Sequence, residues 1–190
     1  MDRKEICGDN ESRPKLMAAH AEEFMTLEIT RIVEDTMTQT FKHMFGQDVR
    51  VSTSVRGESE DESKFICTSI SLSHGDLLTD FAFNFDPLLL SQAAAGVYSA
   101  TEIGQPFILE DLGCEITNIV CSKVKAYLNA QGHELEMEIP YVDRTAYSPD
   151  KPGVDATHLN FMYNGTGSVN KIGISVCFMV LKQVANGGWA

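Results

Sequence analysis

A six-residue string near the start of the chain returns 87 residues later with one change: Glu28-Ile29-Thr30-Arg31-Ile32-Val33 becomes Glu115-Ile116-Thr117-Asn118-Ile119-Val120. Both copies lie in long stretches of helical apolar spacing, and each stretch stops at a glycine, Gly46 or Gly132. A short strand signal follows each copy, and then two longer strand signals joined by a turn. A repeated unit of this kind buries its apolar face against its own copy. The order therefore predicts two helix-plus-three-strand units sharing one sheet under pseudo-twofold symmetry. They cover about residues 22–86 and 107–182 of a single domain at 21–185. The fold class is α/β, or α+β by stricter labels, with long helices on one face of a mostly antiparallel sheet.

Residues 1–20, polar and containing Gly8 and Pro14, read as a flexible leader. Helical spacing runs over 22–45, where Phe24, Leu27, Ile32, Met37, Phe41 and Met44 form a broad apolar face. Val49, Val51 and Val55 alternate as a strand. Strands at 65–73 and 77–85 flank a His74-Gly75-Asp76 turn, with Phe81, Phe83 and Phe85 on one face. Asp86-Pro87 starts an apolar, buried helix at 87–99, since Asp can accept at the N-cap and proline loses no bond at the first helical position. A second long helix spans 108–131. Leu135, Met137 and Ile139 alternate with glutamates as a half-wet strand, and 143–155 reads as a loop. Strands at 157–163 and 169–182 close the fold around Asn164-Gly165, with Ile172, Ile174, Val176, Phe178 and Val180 as one stripe. The residues around Asn186-Gly187-Gly188 are expected to fray.

The 190 residues carry a net charge of −12, which argues against binding to nucleic acid or anionic membrane. No apolar run approaches the roughly 20 residues that span a bilayer, and the first twenty residues lack a secretory apolar stretch. Five cysteines without CxxC spacing read as free thiols of a cytoplasmic protein, with no zinc site. Cys114 and Cys121, seven apart, read as core residues. The acidic run Glu58–Glu62 reads as a solvated loop. No Ser-His-Asp order, HExxH string or P-loop is present.

The chemistry-bearing candidate is a stripe on the second long helix. Asp111, Glu115, Asn118 and Ser122 follow one another at spacings of 4, 3 and 4, which places them on one face, while Ile116, Ile119, Val120 and Val124 lie largely away from it. On periodicity alone, such a stripe reads as the solvated face of an amphipathic helix. The string Asp111-x-x-x-Glu115-x-x-Asn118, with Pro140 beyond the next strand, resembles the helix motif of the CheC/CheX/FliY chemotaxis phosphatases, most of all the CheX-like branch. That resemblance extends over the duplication, from about residue 22 to 182. Two positions depart from the motif: Cys114 replaces a glycine before the Glu, and Ser122 replaces a small residue after the Asn.

The resemblance implies hydrolysis of the aspartyl phosphate of a CheY-type response regulator. Such a regulator brings the acyl phosphate and its Mg²⁺, so no cofactor or metal of the chain's own is implied. The two residues implied as catalytic are Glu115 and Asn118. Asn118 would orient the attacking water, because a neutral amide offers both donor and acceptor. Glu115 would pair with the regulator's active-site lysine and fix the register of Asn118. Asp111 and Ser122 belong on the docking surface. In the first copy Glu28 is kept but Arg31 replaces the Asn; a guanidinium has no acceptor, so one active face per chain is expected, with Glu28 and Arg31 as a surface ion pair. A homodimer through sheet edges follows from the CheX likeness. The alternative left open is a catalytically silent CheX-like module that binds the regulator or serves structure.

Overall fold

Ile29, Val33, Met37 and Phe41, spaced by four, are buried, and so are Ile116, Val120, Val124 and Leu128. Each of the first four precedes its counterpart by 87 residues, so the repeat extends along both helices. The computed structural model describes residues 12–52, 65–75, 77–144, 156–165, 168–184 and 188–189. The two stripes belong to α1 (Ser12–Phe45) and α4 (Pro106–Ala130), which pack on each other and on one side of the sheet.

The sheet comprises β1 (Val49–Ser52), β2 (Ile66–His74), β3 (Leu77–Phe85), β4 (Glu136–Met137), β5 (Tyr141–Val142), β6 (Thr157–Gly165), β7 (Ser168–Val184) and β8 (Gly188–Trp189). Its order is β1-β6-β7-β3-β2-β4, with β5 also on β2 and β8 on β7, and every one of these pairings is antiparallel. The pseudo-twofold axis passes between β3 and β7. Each half lends its first strand to the other half's hairpin: β1 pairs with β6, and β4 and β5 pair with β2. Phe81, Phe83 and Phe85 line the buried face, as their alternation predicts, and Phe81 stacks on Phe178 with ring centroids 5.4 Å apart.

Several expectations need correction. Helix α1 begins at Ser12, so residues 12–20 are helical rather than a leader. Pro14 does not forbid this, because the first turn has no intrahelical acceptor for its missing N–H. The apolar face of α1 is also rotated: Phe24 and Leu27 are 62% and 61% exposed, and Ile29 and Val33 do the burying. The helix expected at 87–99 ends early, as α2 (Pro87–Ala94), and a separate short helix, α3 (Ala100–Ile103), follows it. Asp86 caps α2 as predicted, accepting from Leu88 N at 2.8 Å. Helix α3 starts with a capping box, in which Ser99 and Glu102 satisfy each other's backbone N–H. That local start, three residues after the poor helix former Gly96, wins over continuation.

The expected stripe on β7 is interrupted at Gly173. Phe161 pairs with Ile174 but Met162 with Ile172, leaving Gly173 as a bulge. Gly188, expected to fray, pairs with Val184. The expected Glu28–Arg31 ion pair is not formed; the ion pairs among the described residues include Lys42–Asp48 and Glu110–Arg144. Residues 1–11 of the expected leader, Val55, the run Glu58–Glu62, Asp76, residues 145–155 and Asn186-Gly187 lie outside the described residues.

Candidate functional site

The polar stripe faces outward because the opposite side of α4 is fastened to the sheet at two points. Gly113 is one. A Cβ there would lie 3.3 Å from Thr68 Cγ2 and 3.4 Å from Phe85 Cδ2, so glycine lets the helix settle closely on β2 and β3. The other is a hydroxyl pair, Thr117 and Thr68, both fully buried with their Oγ1 atoms 2.5 Å apart. Thr117 lies between Glu115 and Asn118 in sequence, so this bond sets the rotation of the helix that presents them. Thr117→Val is expected to lower stability by about 1–3 kcal/mol, since it strands the Thr68 hydroxyl without its partner. Thr68→Val in the same chain should restore most of that loss. Denaturant titration of the two single variants and the double variant measures the coupling.

Asp111, Cys114, Glu115 and Asn118 form one wall of an open cleft of about 530 Å³. Asp111 and Glu115 are exposed, whereas Cys114 and Asn118 are half-buried. Met137, Glu138, Ile139 and Pro140 form the facing wall. Three of the four predicted site residues thus come together. Ser122 does not line the cleft; its hydroxyl lies 3.9 Å from Met137 Sδ, between α4 and β4.

The facing wall is shaped by a register slip. Between the pairs Leu72↔Met137 and Ser69↔Tyr141 the chain advances three residues on β2 but four from β4 to β5. The extra residue makes a bulge at 138–140, and Pro140, unable to donate, suits such a break. Ile139, expected on the buried side of a continuous strand, is instead 86% exposed at the cleft rim. Glu138 N donates to Ser71 O at 3.1 Å and holds the bulge on β2. Beyond β5, Arg144 donates to both oxygens of Glu110, at 2.9 and 3.0 Å, fastening this wall to α4. Apart from Pro140, the residues of this wall carry no sequence signal of a site; Pro140 was the one pointer to their position.

Cys114, read from sequence as a core residue, lines the cleft, whereas Cys121 is fully buried. Burial first, and then the nearby Asp111 and Glu110 carboxylates, push the Cys114 thiol above the ordinary thiol range. Less of it is thiolate at pH 8 than in a free cysteine, so alkylation by iodoacetamide at that pH is expected to be slower at Cys114 than at a model peptide thiol. Peptide mass spectrometry at timed intervals gives the rate. Among the described residues no three His, Cys, Asp or Glu side chains gather to hold a metal ion. In the first copy, the positions 87 residues earlier carry Phe24, Leu27, Glu28 and Arg31, a different chemistry on the equivalent face.

The architecture is thus a helix pair on one side of a strand-exchanged antiparallel sheet, with an Asp-Glu-Asn stripe over an open cleft. No protein-family profile matches the chain, and no curated protein matches it. Solved structures do. The chain is similar to the chemotaxis protein CheX from Vibrio vulnificus, with a TM-score of 0.61 and 14% identity over 80% of this chain and 99% of that one. A chemotactic CheC-like protein from Shewanella oneidensis MR-1 gives 0.59 and 18%, over 80% and 99%. The CheX of a CheX–CheY–BeF₃–Mg²⁺ complex from Borrelia burgdorferi gives 0.51 and 12%, over 80% and 96%. The chain has the CheC/CheX/FliY fold.

Proposed function

We propose that this chain is a cytoplasmic phosphatase for the aspartyl phosphate of a CheY-type response regulator in chemotaxis signalling. The observation that carries the reading is the placement of Glu115 and Asn118 less than one helical turn apart on the wall of an open cleft. Similarity to a CheX held in complex with CheY, BeF₃ and Mg²⁺ supports the choice of partner.

The chemistry divides between the two proteins. The regulator supplies the acyl phosphate and Mg²⁺ as the substrate, so the electrophile arrives already activated. Asn118 supplies orientation. Its amide oxygen accepts a hydrogen bond from water and aims a water lone pair at phosphorus, in line with the aspartyl oxygen. The new bond joins the water oxygen to phosphorus, the bond from phosphorus to the aspartyl oxygen breaks, and the regulator's carboxylate leaves. The water protons pass to the phosphate product and solvent. Glu115 docks against the regulator's active-site lysine, and Asp111 extends that acidic surface.

The test is the rate of phosphate loss from a CheY-type regulator of the same organism, phosphorylated with acetyl phosphate, with and without this protein. Acceleration that depends on Asn118 supports the reading. Binding without acceleration would replace it with a silent regulator-binding module.

A further inference from the structure

We infer that Ile139 is the apolar anchor by which the cleft holds its regulator, separate from the polar wall that acts on the phosphate; this rests on the phosphatase reading above. The two walls differ in kind. On α4, Asp111 and Glu115 present carboxylates, a surface for a cation whose attraction weakens with salt. Opposite them, Met137, Ile139 and Pro140 present hydrocarbon, with Glu138 the one charged side chain on that wall.

Ile139 is the most exposed of the large apolar side chains described. A lone exposed isoleucine on a flat surface would need no explanation. This one is held outward by construction. The bulge gives β4–β5 one residue more than β2 across the same span, and both flanks stay paired to β2. Glu138 N to Ser71 O fixes one side of the turn, and Pro140 fixes φ on the other. The Arg144–Glu110 pair then joins this wall to α4. The side chain therefore projects from backbone held to β2 on both flanks, which limits the ordering that opposes its burial on docking, a property of interface anchors.

The occupant is the receiver domain of the phosphorylated regulator. Continuity with the catalytic wall requires this. Whatever brings a phosphoryl group to Asn118 and a cation to Glu115 fills the same cleft, and must cover Ile139 with the surface beside its phosphorylation site. That surface has to carry an apolar side chain within reach of the lysine. Specificity among regulators then follows from which of them offers that apolar neighbour.

The test is steady-state dephosphorylation of the acetyl-phosphate-loaded regulator by wild type, Ile139→Ala and Asn118→Ala, with direct binding measured in parallel at low and high salt. Because Ile139 is mostly exposed, the alanine variant is expected to fold as wild type does. KM and Kd should rise about tenfold with kcat within about twofold, and the ratio to wild type should persist at high salt. Asn118→Ala should show the opposite split. Unchanged KM and Kd in Ile139→Ala, alongside an active wild type, would overturn the anchor and leave the phosphatase standing. A fall in kcat alone would also overturn it, by making Ile139 a positioning residue. A wild type that neither binds nor accelerates would overturn both readings.

Discussion

Asn118→Ala is expected to slow the protein-accelerated loss of phosphate roughly 10²- to 10³-fold, the scale of losing one positioned hydrogen-bonding group at a reacting centre. Regulator binding should stay within about threefold of wild type. The split follows from what the amide does. Under the proposed mechanism it contacts the attacking water, which is ordered only as the reaction proceeds, so its removal should weaken the transition state more than the complex. Half-buried on the open side of α4, the side chain belongs neither to the buried core nor to the Thr68–Thr117 fastening. Asn118→Asp sharpens the test: it keeps the shape but turns a negative charge toward the phosphoryl oxygens, and should be at least as inactive. Glu115→Ala should lower binding and turnover together, since docking and register are lost at once. Full activity of Asn118→Ala would sink the water-orienting mechanism.

Gly173→Ala is expected to destabilise the fold by about 3 kcal/mol, at the upper end of what overpacking a core does. For a domain of this size that is a fall of roughly 10 °C in Tm. The methyl group would lie 2.4 and 2.6 Å from Tyr163 ring carbons and 2.9 Å from Leu89 Cδ2. The Tyr163 ring is buried and Leu89 fully so, which leaves neither room to retreat. The Gly173 carbonyl also accepts from Asp86 N at 2.7 Å, so a shift of the bulge would disturb the start of α2. Scanning calorimetry of Gly173→Ala, Tyr163→Val and the double variant separates the causes. If the clash dominates, the double variant loses much less than the two single losses combined. A Gly173→Ala chain that melts with wild type would mean that this packing relaxes without strain.

What the sequence made legible was whatever depends on neighbours in the chain. The repeat, the Phe81-Phe83-Phe85 face, the Asp86 cap and the grouping of Asp111, Glu115 and Asn118 all follow from spacing along one element. What escaped depends on how distant segments meet. Ile139 alternates with polar residues as a buried strand residue would, and only the register of β4 and β5 on β2 turns it outward. Gly173 sits between Ile172 and Ile174 in a period-two apolar stripe, and the position of its bulge is fixed only by the register against β6. Phe24 and Leu27 look like core on a helical wheel, but α1 is rotated to bury the counterparts of the α4 stripe. Ser122 shares a stripe with Asn118, yet β4 lies beside it. The cleft has two walls, and one was readable because it is a single helix.

The exchange of first strands between the halves governs how the molecule comes into being. β1 ends at residue 52 and its partner β6 begins at 157. At about 5–20 residues per second of synthesis, that edge strand waits roughly 5–20 s on the ribosome for the chain it must pair with. Over the same interval the β2–β3 hairpin, a local pairing that closes quickly, stands with its outer edge open until β4 and β5 arrive. The nascent first half is thus a structure with two unfinished margins, the condition in which strands capture the wrong neighbour. Neither half can be cut out and expected to fold by itself, and pulse-labelling hydrogen exchange should find β1 among the last segments to gain protection.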